Sequence, residues 1–100
     1  MAQPPNNCST SVALTGSDQG AVTGDGIFYG GVFYESGGSD TATAKIHDGT
    51  SASGTIIGYI SLAAGAVTNV NIANGVRFTT GIYVDVAGSG TIAGSIFYTT

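Results

Sequence analysis

The placement of glycine constrains this chain more than any other feature. Seventeen glycines are spread through 100 residues, and only Met1–Thr15 and Ser39–Asp48 run ten or more residues without one. The first of these stretches contains Pro4-Pro5, and the second alternates as a strand does. Each interior glycine weakens a helix by about 1 kcal/mol relative to alanine, so no substantial helix fits. The residues between the glycines are those that pleat. Val, Ile and Thr total 30, while only Leu14 and Leu62 represent leucine. Branching at Cβ stiffens χ1 and favours extended backbone.

Charge and hydropathy then exclude whole classes. With 42% apolar residues and a net charge of −4, the chain lacks the profile of intrinsic disorder. Lys45 and Arg77 are its only Lys or Arg residues, too few for a phosphate-binding surface, so no nucleic-acid partner is expected. No apolar run reaches the ~18–20 residues that cross a bilayer, so no membrane partner is expected. The single cysteine, Cys8, cannot form an internal disulfide. The start of the sequence has neither the basic nor the apolar region of a signal peptide. Asn7-Cys8-Ser9 fits the N-glycosylation pattern, which recurs often by chance.

The chain reads as an extended arm, residues 1–10, followed by one domain, residues 11–100. Its β-prone runs are Ser11–Thr15, Ala21–Thr23, Ile27–Glu35, Thr41–His47, Thr55–Leu62, Ala66–Ile72, Val76–Thr79, Ile82–Ala87 and Thr91–Thr99. Helical segments do not alternate with them, which excludes a βαβ architecture. The expected fold is all-β: an antiparallel β-sandwich or jelly-roll-like barrel of about eight short strands. Asn74-Gly75 predicts a tight hairpin between its flanking runs, because both central residues of a type I′ turn need positive φ. Gly88-Ser89-Gly90 can close a second hairpin. Ser36–Asp40 and Asp48–Gly54 read as loops, and Gly16–Gly26 as mostly irregular.

Strict alternation sorts the faces of a strand. It places Ala42, Ala44 and Ile46 on one side and Thr41, Thr43, Lys45 and His47 on the other, solvated side. Ile27–Tyr34 breaks the rule. Ile27, Tyr29 and Phe33 would point one way, and Phe28, Val32 and Tyr34 the other. A strand that is apolar on both faces needs a second cover. That cover is either a loop or the N-terminal arm, or else a partner subunit.

Catalytic side chains are scarce: one His, one Cys and one Glu. His47 and Asp48 are adjacent in a strand, so they point to opposite faces and do not form a base with its orienting carboxylate. Gly88–Ala93 matches G-x-G-x-x-A, but a strand follows where a dinucleotide site requires a helix. One His and one Cys do not make a zinc site. Asp18, Asp25, Asp40 and Asp48 lie in loops, where aspartates cap turns more often than they bind calcium. No enzyme activity, cofactor or metal is therefore expected. Tyr29, Tyr34, Tyr59, Tyr83 and Tyr98 leave a glycan site open, without the tryptophan that such sites commonly use.

One resemblance bears on function. Thr41–Ile57 carries an Asp-Gly-Thr turn after an alternating strand, and Val76–Val86 runs Val-Arg-Phe-Thr-Thr-Gly into an aliphatic strand. Across Ile27–Tyr98 the chain resembles the small β-sandwich structural proteins of tailed-bacteriophage virions. The resemblance implies a capsid decoration (cement) protein, made in the bacterial cytoplasm and docked on the outer capsid surface. Its partners would be the major capsid protein or other virion proteins, and it would form a homo-oligomer, most simply a trimer. A neck or tail component, or a glycan-binding fibre or adhesin module, is the alternative. The contact residues expected are Pro4, Pro5, Asn6 and Asn7 of the arm, with Phe28, Val32 and Tyr34 of the aromatic run.

Overall fold

The computed structural model describes residues 9–100. The expected contact residues Pro4, Pro5, Asn6 and Asn7, and Cys8 with them, therefore lie outside the described residues. Among the described residues eight strands form: β1 (Thr10–Ala13), β2 (Gln19–Thr23), β3 (Gly26–Glu35), β4 (Ala42–Asp48), β5 (Thr55–Leu62), β6 (Val67–Phe78), β7 (Gly81–Ala87) and β8 (Ile92–Thr99). They make two four-stranded antiparallel sheets, β1-β8-β3-β6 and β2-β7-β4-β5. The pairings nest: β4 with β5, β3 with β6, β2 with β7, β1 with β8. A single long hairpin, folded across itself, gives this order, and it is the order of a jelly roll.

Of the connections, β4 to β5 alone stays within one sheet. This corrects both expected hairpins. Asn74-Gly75 does not turn the chain, because β6 runs unbroken from Val67 to Phe78. Both of its halves find a partner in β3, so the local turn signal is absorbed as a bulge. Between the pairs Phe28↔Val76 and Gly30↔Asn71, the single residue Tyr29 faces Ile72–Gly75. Gly75 takes the positive φ of 74° there. Gly88–Gly90 closes no hairpin either, because it carries the chain from one sheet to the other. The segment expected to be irregular contains β2, which pairs with β7.

The same bulge resolves the two-sided aromatic run. Against β6 the extra residues lie on β6, but against β8 Tyr29 is itself the extra residue, between Phe28↔Tyr98 and Gly30↔Phe97. One inserted residue reverses the in–out parity downstream. Phe28 and Phe33, expected on opposite faces, therefore both enter the core, where they are 1% and 0% exposed. They join Ala42, Ala44, Ile46, Ile60, Leu62, Phe78, Ile82, Val84, Ile92 and Ile96. The Phe28 ring reaches the opposite sheet, so close that a Cβ added at Gly58 would sit 3.3 Å from it. Phe28 is thus a core residue and is unavailable as a contact residue. Burial of a phenylalanine side chain is worth about 1.5–3 kcal/mol.

Candidate functional site

Parity reversal leaves the outer face of the β1-β8-β3-β6 sheet apolar where β3 ends. Val32 is 37% exposed, Tyr34 42% and Val67 68%. Val67 lies directly across from Tyr34 on β6, and Ala93 lies across from it on β8. Two of the expected contact residues, Val32 and Tyr34, therefore share one exposed patch. Val67 completes it, although the sequence reading did not single it out.

A cleft of about 420 Å³ opens further along the same face, at the paired bulges. Tyr29 and Phe97 supply aromatic walls, Val32 and Ile72 aliphatic ones, and Asn69 and Asn71 amides. Ser9, the first described residue, lines it too. Among the described residues no lining side chain is charged. The alternation Val67-x-Asn69-x-Asn71 was the signal for this surface, since residues two apart on a strand share a face.

The loops beside the patch are tied by one carboxylate. Glu35 is 3% exposed, at the end of β3. Its Oε2 accepts from the backbone N–H of Gly37 at 2.8 Å and of Thr91 at 3.1 Å. Its Oε1 accepts from Gly38 at 2.7 Å and Gly65 at 3.0 Å. These bonds, led by those from Gly65 and Gly37, overcome desolvation and hold its pKa down at about 2. Glu35 is therefore an ionised knot joining three loops, adjacent in sequence to Tyr34.

Asp48 plays a related part at the other end of the sandwich. Its carboxylate accepts from Thr80 N–H at 2.9 Å, from Thr79 N–H at 3.0 Å and from the Thr79 hydroxyl at 3.2 Å. Desolvation acts to raise its pKa, but the bonds from Thr80 and Thr79 together prevail and lower it. Asp18 caps Val86 N–H at 2.8 Å. Both aspartates thus serve as turn and strand caps. Among the described residues no group of three His, Cys, Asp or Glu side chains converges.

His47 departs from expectation. It lies on the outer side of β4 yet is only 3% exposed. Its Nδ1 lies 2.8 Å from the Gly54 carbonyl, so Nδ1–H is the donor. Nε2 is 3.8 Å from the Asp85 carboxylate, too far for a hydrogen bond. His47 and Asp48 address different loops, as their opposite faces require. Gly88–Ala93 runs directly into strand β8, which begins at Ile92, and this leaves no helix N-terminus there to receive a phosphate.

No protein-family model matches the chain, and no curated protein and no solved structure shows significant similarity to it.

Proposed function

We propose that the protein is a structural component of a tailed-bacteriophage virion, a decoration protein that docks on the outside of the assembled capsid. The observation that carries this reading is the exposed Val32–Tyr34–Val67 patch on the outer face of a four-stranded sheet. Its neighbouring loops are fastened by Glu35, so the patch meets a partner already ordered. Little conformational entropy is then lost on docking. The sequence resemblance supplies the partner class, and the jelly-roll order is compatible with it, although a fold alone does not fix function. Attachment as a trimer would multiply modest contacts through effective concentration. Binding the assembled lattice, and not its free subunits, would stabilise the shell.

The test is occupancy on capsids that lack the protein, read by cryo-EM. The double substitution Tyr34→Ser with Val67→Ser is expected to lower occupancy about ten-fold or more while leaving the fold intact. Occupancy equal to that of the unaltered protein would refute the patch. Because the patch is apolar, salt is expected to change occupancy only weakly.

A further inference from the structure

The edge strands of the two sheets are β1, β6, β2 and β5. An edge presents unpaired N–H and C=O groups, which proteins blunt by short length, bulges, charge or proline. Three of the four are blunted. β1 is four residues long, and β2 is five with a bulge between Gly20 and Val22. β6 is broken by its bulge at Ile72–Gly75 and carries Arg77 and three asparagines, a residue type that strands disfavour. β5 differs. It reads Thr-Ile-Ile-Gly-Tyr-Ile-Ser-Leu, without charge and without proline. Its extra residue, Ile57, lies towards one end, and Gly58–Leu62 pairs without interruption with Ala42–Ile46.

Half of the N–H and C=O groups of such a strand point away from its neighbour. Among the described residues, no backbone hydrogen bond reaches Thr55–Leu62 except through the ladder with β4. The outer side of the run is therefore a template for one more strand. Beside it Tyr59, across from Lys45, is 59% exposed.

The strand suits its own copy. A two-fold axis through Ile60 pairs Gly58 with the partner's Leu62, Tyr59 with the partner's Ser61, and Ile60 with the partner's Ile60. The whole uninterrupted run is used. Faces also match: Ile60 and Leu62 lie in the core layer, while Tyr59 and Ser61 are exposed. Self-pairing commonly fails because it sets like charges opposite each other. This run has none to oppose.

We propose that β5 pairs antiparallel with β5 of a second copy about a two-fold axis at Ile60. The two β2-β7-β4-β5 sheets then join into one continuous sheet. This inference does not rest on what the Val32–Tyr34–Val67 patch of the other sheet docks on. Five residues a side make a contact well below the standard ~1,600 Å², so a dissociation constant of order micromolar is expected.

The experiment is sedimentation of the full chain from low to high micromolar concentration. The mass should rise from 9.8 kDa towards twice that value. Tyr59→Lys with Ser61→Lys sets like charges opposite each other twice, and should raise the dissociation constant about ten-fold or more. Tyr59→Lys with Ser61→Asp sets opposite charges there and should restore the dimer, which separates a lost contact from a lost fold. In a Cys8→Ser background, mixed Tyr59→Cys and Ser61→Cys chains should form a disulfide-linked pair on mild oxidation, since directly opposed strand residues lie within disulfide reach. Neither chain alone should do so. A mass that stays at 9.8 kDa throughout overturns the proposal. So does an oligomer that the lysine pair leaves unchanged, or either cysteine chain cross-linking alone as readily as the mixture.

Discussion

Glu35 and Asp48 stand at opposite ends of the sandwich and use one device: a carboxylate that gathers backbone N–H groups. They differ in reach. Glu35 is buried and takes bonds from its own loop, from Gly65 between β5 and β6, and from Thr91 between β7 and β8. Asp48 is half-buried and fastens only the Thr79-Thr80 turn. The difference lies in what each removal would strand. Without Glu35, amides from three separate loops lose a partner in a place that water reaches poorly. Without Asp48, a short turn is left beside solvent, which can replace the lost bonds.

The largest effect expected is from Glu35→Ala, which should lower the melting temperature by on the order of 10 °C or more. Thermal unfolding followed by circular dichroism measures it. A loss no greater than that of the Asp48 variant would break the comparison.

Acid comes next. Because Glu35 has a folded-state pKa of about 2, below its ordinary 4.5, its contribution is fully present above pH 4.5. It is lost as pH falls through that window towards about 2. Melting temperature should therefore drop steeply over this range, and Glu35→Gln should flatten the slope while lowering the plateau. An unchanged slope in the variant would show that other carboxylates govern acid unfolding.

The smallest effect is expected from Asp48→Asn, which keeps the shape and an acceptor but removes the charge. A loss of about 2–5 °C should result, measured on the same scale. Amide exchange at Thr79 and Thr80 should rise with it, and exchange at Gly65 should not.

Local sequence predicted which residues extend and where they stop, because glycine and β-branching act within a few residues. Thr55–Leu62 is a strand at its expected bounds. Pairing is decided elsewhere in the chain. Nothing near Asn74-Gly75 reveals that β3 will accept both flanks of β6. The one-residue bulge at Tyr29 is equally silent, since a period of two cannot register its own interruption. It moved Phe28 into the core while Val32 and Tyr34 stayed outside. Glu35 gave a faint signal, the chain's only glutamate placed just before Gly37-Gly38, but three of its loops meet only in the folded molecule. His47 was placed on the correct face; its burial comes from the neighbouring 49–54 loop, whose Gly54 carbonyl it meets.

The nested pairing also sets an order in time. Joining β1 to β8 directly would bring Ala13 to Ser95 across most of the chain, and the entropy of closing a loop grows with its length. Once the β4–β5 hairpin exists, each outer pair closes only the short segments still open. The sandwich should thus zip from the 49–54 loop outward and, being built of non-local contacts, should do so on a millisecond-to-second scale. By the same logic β1 joins last and frays first, so it is the strand whose release costs the fold least.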